Sequence, residues 1–222
     1  MKKLQVMMVL KSPVLPGSGE GLGSLIDADI IYDNYGLPYF PARRFKGLLR
    51  ESATEVKEML ELASIQYLLG VNVDDIFGSM GSQKEAPVVF RNLLLTDYSK
   101  IVDWLKWAFE EPDSIVSKDT VLDTFTEIRQ QTAINLQHGT AEENSLRTVR
   151  VLKAGYTFTG SVEFNVAEDK LYALLALACA NLKYIGSNRT RGLGEVACSL
   201  WDGQINLTKE LLRVLKEANC LV

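Results

Sequence analysis

The chain has 222 residues, 47% hydrophobic and 23% charged, which excludes a disordered polymer and leaves room for one large domain or two small ones. Its longest apolar run, LYALLALACA, is too short and interrupted to span a bilayer, and 24 basic against 28 acidic residues give a net charge of −4, against a uniformly basic nucleic-acid binder. Three scattered cysteines without a CxxC pair and a single histidine argue against structural zinc and fit a reducing cytoplasm.

Lys3 to Lys11 (KLQVMMVLK) ends at Ser12-Pro13 and predicts a buried strand, not a signal peptide, because no small-residue cleavage site follows. A loop with four glycines and two prolines, SPVLPGSGEGLGS, leads to DADIIYD, a short predicted strand closing on the turn DNYG. Pro41 opens a helix of about five turns, whose stripe of Phe45, Leu48, Leu49, Ala53, Val56, Met59, Leu60 and Ala63 recurs at spacings of three and four. VVFRNLLLTDY reads as a strand, and the region from Ile101 to about Val121 as helix broken by Pro112. The segment around QHGT reads as a long β-hairpin. AEDKLYALLALACANLKYI predicts a helix stopped by Gly186, EVACSLW the closing strand, and LTKELLRVLKEAN a last helix. The order matches an α+β, ferredoxin-like βαββαβ core with one long insertion.

Charge is unevenly distributed. Pro38 to Arg50 holds Arg43, Arg44, Lys46 and Arg50 without an acid, whereas Glu110 to Glu127 holds six acids against one lysine. Cations in a helix's first turn oppose its dipole, so ARRFKGLLR points to a polyanion that meets helix N–H groups and side chains together. Near the C-terminus, IGSNRTRGLGEV gathers Gly186, Gly192 and Gly194 with Arg189 and Arg191. A dinucleotide fingerprint needs strand, glycine turn, then helix; here a helix feeds the loop and the loop feeds a strand. Any anion must therefore be held by the arginines and exposed backbone N–H groups. Asp27 and Asp29, two apart, share a face if extended, and Asp33 heads the DNYG turn, where aspartate commonly bonds its own backbone.

At these residues the chain resembles the repeat-associated mysterious protein (RAMP) superfamily, in particular the backbone subunits of type III CRISPR effector complexes. SGEGLGSLIDADIIYDNYGLPYFPARRFKGLLRES is similar to its signature, IFGSMGSQKEAPVVFRNLLL to its next block, the segment from Thr126 to Gly160 to its "thumb" hairpin, and GSNRTRGLGEV to its G-loop. Members often carry small residues where this chain has Ala42-Arg43-Arg44.

The resemblance implies one RRM-like domain over residues 1–222, with a core of about 1–100 and 156–222 and a thumb insertion at about 112–158, its hairpin roughly Phe125 to Phe158. It implies a cytoplasmic ribonucleoprotein whose partners are CRISPR RNA, complementary target RNA and other subunits, with no membrane. Guide phosphates would be gripped by the helix start (Arg43, Arg44, Lys46, Arg50) and the G-loop (Gly186, Asn188, Arg189, Arg191, Gly192). Thumb contacts would come from Arg129, Arg147, Arg150 and Lys153. Target cleavage would depend on an aspartate of the first loop, Asp27 first and Asp29 second, with Asp27 holding Mg²⁺. The alternatives are a scaffold without chemistry, a metal-independent precursor-RNA endonuclease using His138, and a small-anion binder unrelated to RNA.

Overall fold

The computed structural model describes residues 1–19, 21, 25–65, 68, 70–79, 87–112, 114–135, 139–166 and 168–219. Strand β1 (Lys2–Leu10) lies at the centre, with Leu4, Val6, Met8 and Leu10 buried at alternate positions. It pairs antiparallel with β8 (Thr157–Phe164) on one side and β9 (Val196–Asp202) on the other, and β2 (Val88–Phe90) extends the sheet beyond β8. A short β10 (Ile205–Asn206) adds to β9. The strand order β10-β9-β1-β8-β2, all antiparallel, contains the 4-1-3-2 order of a ferredoxin-like core; β10 is added at one edge, and a short β3 (Leu94–Leu95) also pairs with β8.

Helix α1 (Ala42–Leu62) follows β1, and α5 (Asp169–Asn181) follows β8. Phe45, Leu49, Ala53 and Val56 form the buried face of α1. Leu171 and the run from Ala173 to Cys179 are all buried, because α5 is enclosed by α1, β9 and α6 (Leu207–Asn219). The buried Ser52 ties the two crossover helices, donating to the Ala178 carbonyl at 2.8 Å and accepting from Asn181 at 3.1 Å. Cys179 and Cys198 are free and buried; their mutual hydrogen bond and then burial push the Cys179 thiol up. No helix among the described residues is long and apolar enough to cross a membrane.

Helix α2 (Asp74–Phe77) links α1 to β2, and the insertion follows β2. It comprises β3 (Leu94–Leu95), α3 (Tyr98–Glu110), α4 (Lys118–Phe125) and an antiparallel hairpin of β4 (Thr126–Gln131) and β7 (Arg147–Leu152). At its tip lie β5 (Ile134–Asn135) and β6 (Thr140–Ala141). A capping box starts α4: Ser117 Oγ accepts from the Thr120 N–H at 3.2 Å while Thr120 Oγ1 accepts from the Ser117 N–H at 2.8 Å.

Three sequence expectations are corrected. DADIIYD is not a strand, because its backbone bonds are shared among Ser18, the Thr148–Arg150 segment and Tyr39, so no single ladder forms. VVFRNLLLTDY is interrupted after Phe90: Leu93 exchanges backbone bonds with Phe40 at 2.9 Å, and Asn92 Oδ1 accepts from the Ala42 N–H at the start of α1. The helix before the G-loop ends at Asn181, not Gly186, since Leu182 is already extended.

Candidate nucleic-acid interface

A cleft of about 880 Å³ opens where the hairpin meets the palm of the core. The first glycine loop (Gly17, Gly19, Asp27), β4 and β7 (Gln131, Arg147) and the G-loop (Ser187, Asn188, Arg191) line it. A second cavity of about 370 Å³ continues past Arg44 and shares Gly17, Arg44 and Ser187 with the first. The two form one track from the hairpin to the start of α1. Its charge is graded. Among the described residues lining the second cavity, Arg43, Arg44 and Arg189 face only Glu51, whereas the hairpin end mixes Arg147 and Arg191 with Asp27, Asp29, Glu142 and Glu143.

The cations expected to bind RNA separate into two groups. Arg44 donates to the carbonyls of Gly17 and Ser18, so it anchors the glycine loop on α1. Arg50 is held by Asp74 at 2.5 Å and the Gly78 carbonyl at 2.8 Å, and Lys153 caps α4 through the Asp123 and Thr124 carbonyls at 2.9 Å. Arg129 pairs with Glu127 at 2.7 Å. Lys46 is half-buried, and its ammonium is shifted down first by that burial and then by Arg50. The Arg43 and Arg147 side chains are exposed and have no hydrogen-bond or ion-pair partner among the described residues. Arg189 uses Nε on the Gly186 carbonyl at 3.1 Å, and Arg191 uses Nη1 on Gln131 at 3.0 Å, so each keeps nitrogens for a ligand.

The G-loop owes its shape to Gly186 and to a short 3₁₀ turn, Arg189–Arg191, flanked by left-handed Asn188 and Gly192. Gln131 stitches this turn to the hairpin, accepting from Arg191 and, at 3.3 Å, from Asn188. The sequence did not point to Gln131. A neutral residue in a strand shows its role only when its partners are in place.

Asp27 and Asp29 part company. Asp27 is exposed at the cleft; Oδ2 accepts from the Thr148 N–H at 2.6 Å, and the Asp27 N–H donates to the Thr148 carbonyl at 2.8 Å. Asp29 is buried. Its Oδ2 meets Arg150 Nη1 at 3.1 Å, with side-chain exposures of 7% and 12%, and its Oδ1 accepts from the Ile30 N–H at 2.7 Å. Asp29, expected second to Asp27 in the chemistry, and Arg150, expected among the RNA contacts, are thus paired with each other, Asp29 buried and Arg150 partly so. Asp33 holds its own turn, accepting from the Tyr35 and Leu37 N–H groups at 2.8 and 2.9 Å. His138 lies outside the described residues. No group of three or more His, Cys, Asp or Glu among the described residues could hold a metal. One exposed carboxylate fits Mg²⁺ only where phosphate oxygens complete the shell.

The RAMP superfamily model matches residues 8–197. The chain belongs to the RAMP superfamily. No curated protein matches it in sequence. Among solved structures, this RAMP protein is similar to a chain of the type III-B Cmr-beta complex bound to cognate target RNA, determined by cryo-EM, with a TM-score of 0.60 and 10% identity over 95% of this chain and 99% of that one. A chain of the apo type III-B Cmr-beta complex gives a TM-score of 0.63 and 11% identity over 91% and 98%. At those identities the likeness is one of fold.

Proposed function

We propose that this RAMP protein is an RNA-binding backbone subunit of a type III CRISPR effector complex, and that Asp27 serves cleavage of guide-paired target RNA. The observation that carries the reading is the continuous track between hairpin and G-loop, lined by Arg43, Arg147, Arg189 and Arg191 with nitrogens to spare. Two adjoining cavities lined by separate arginines suit a strand held by its phosphates, not a small anion. The structural neighbours are chains of type III-B complexes, one of them bound to target RNA, and this supports the choice of a CRISPR effector.

In this reading the arginines of α1 and the G-loop hold the guide backbone, and Gln131 fixes Arg191 against the hairpin. The target strand reaches the mixed-charge end of the cleft, where Asp27 waits. The Thr148 N–H fixes one Asp27 oxygen, so the other is directed without freedom to rotate away. Mg²⁺, when bound there, supplies charge neutralisation at the phosphate under attack. Asp27 would be its protein ligand, with RNA oxygens completing the shell.

A second reading, a scaffold without chemistry, is favoured by the same Thr148 bond, which gives Asp27 a structural task as well. Expressing the chain with its operon neighbours and sequencing the RNA that copurifies tests the shared part of both readings. Short RNAs with a common repeat-derived end are expected; a complex holding no RNA overturns both. Salt titration adds a number: four arginine–phosphate contacts on a single strand give a log–log slope of roughly −3. A slope near zero points to a small anion instead.

A further inference from the structure

We propose that the pair of buried Asp29 and partly buried Arg150 is a latch that positions Asp27 at the cleft. Its cleavage arm rests on the reading of Asp27 above; its positional arm rests on geometry alone. Residues Asp27 to Asp29 run parallel to Thr148 to Arg150. The Asp27 N–H donates to the Thr148 carbonyl at 2.8 Å, and the Arg150 N–H donates to the Ala28 carbonyl at 3.0 Å. Side chains two apart in extended chain lie on one side. Asp27 therefore meets the Thr148 amide and Asp29 meets the Arg150 guanidinium, each acid with its own partner on β7.

Backbone contacts share in setting this register: the Ser18 N–H donates to the Asp29 carbonyl at 2.7 Å, and Val14 and Leu152 exchange backbone bonds further along β7, but neither contact reaches the Asp27 side chain. The Asp27–Asp29 segment belongs to no ladder, and β4 and β7 form a separate two-stranded sheet. A one-residue slip would turn Asp27 to the opposite side and pull its carboxylate off Thr148. Such a slip would strand Asp29 as an uncompensated buried charge, which is what makes the pair a register lock.

The pair is poorly built for stability. Arg150 reaches the carboxylate with Nη1 alone, at 3.1 and 3.3 Å, and its Nε is buried without a partner. A buried ion pair with an orphaned donor holds a fold less well than apolar side chains of the same size. What it provides here is a single alignment of loop on hairpin. Asp29 and Arg150 are thus positioning residues, acting through Asp27.

The test follows amide hydrogen exchange in the full chain together with target cleavage in the assembled complex. Arg150→Met is expected to speed exchange at the Asp27 and Thr148 amides by at least about tenfold while the β1 and β8 amides stay protected. Arg150→Lys should keep that protection to within about threefold, because one nitrogen already makes the contact. Asp29→Leu/Arg150→Met, apolar on both sides, should retain the thermal midpoint and the bound RNA yet show the same fast amides and a lower single-turnover rate constant; it decides the matter where Arg150→Met alone unfolds. Unchanged Asp27 and Thr148 amides in the double variant, or Arg150→Lys as damaging as Arg150→Met, overturn the latch. Should Asp27→Ala leave cleavage intact, the cleavage reading fails, and the amides still decide the latch.

Discussion

Gly186 passes so close to Leu15 that a Cβ on it would stand 2.5 Å from the Leu15 carbonyl oxygen, and its φ is +76°. The Ser187 N–H donates to that same oxygen at 3.0 Å, so the G-loop is seated on the chain just after β1. Gly192 has the same φ of +76°, but a Cβ on it would meet nothing within 4 Å. Gly186→Ala combines backbone strain with a collision against main chain and should destabilise by at least about 2 kcal/mol. Gly192→Ala meets strain alone and should cost about 1 kcal/mol. Urea unfolding of the two variants checks the order; equal losses would mean the Leu15 contact relaxes freely.

Arg43 and Arg44 are adjacent in sequence and opposite in duty. Arg44 is spent on the Gly17 and Ser18 carbonyls, while Arg43 stands exposed at the track. Arg43→Ala should leave the melting temperature unchanged and reduce the salt slope of RNA binding by roughly 0.7. Arg147→Ala should behave alike. Arg44→Ala should lower both stability and affinity, because the glycine loop loses its tether. Melting curves paired with binding isotherms across salt separate these outcomes, and a destabilised Arg43→Ala would contradict the assignment.

That division explains what the sequence made legible. The core was readable because periodicity survives in one dimension: alternation in β1, the three-four stripe of α1 and the order of elements led to the ferredoxin-like sheet. Of the clustered arginines and glycines named from the sequence, Arg43, Arg44, Arg189, Arg191 and Gly186 do line the two cavities, since short-range clustering needs no help from distant residues. Individual roles were not readable. Arg50 and Lys153 match RNA-binding arginines and lysines in type and spacing, yet they end on carbonyls of α2's C-cap and α4, partners 28 and about 30 positions away. Asp29 looked like the twin of Asp27 until Arg150, 121 positions later, took its charge. Partners at such separations leave no trace in local pattern.

Tyr98 and Asp33 give a pH signature. The Tyr98 hydroxyl donates to Asp33 Oδ2 at 2.7 Å, and burial first, then that bond, push its phenol up to about 12. The folded state therefore keeps a proton that the unfolded chain releases near pH 10. The contribution is fully present below about pH 10 and is lost as pH rises through about 12. Tyr98→Phe should lower stability at neutral pH and show a shallower loss between those values than the unaltered chain. Parallel alkaline curves for the two proteins would mean that folding does not shift the Tyr98 phenol.

The two readings of Asp27 diverge in one experiment. If it serves cleavage, Asp27→Ala should cut target-RNA cleavage in the assembled complex by at least about 100-fold, and excess EDTA should do the same to the unaltered complex. Guide RNA should stay bound in both cases, since the arginines proposed to hold it lie along the α1 and G-loop walls. Asp27→Asn refines the result: its amide oxygen can still accept from the Thr148 N–H, so the loop remains on the hairpin while the charge is gone. Loss of cleavage in Asp27→Asn with Thr148 still protected from exchange would assign the effect to charge at the phosphate. Cleavage retained by Asp27→Asn but lost by Asp27→Ala would instead make the Thr148 bond the essential feature and Asp27 a structural residue. Cleavage retained by both would leave this subunit a scaffold.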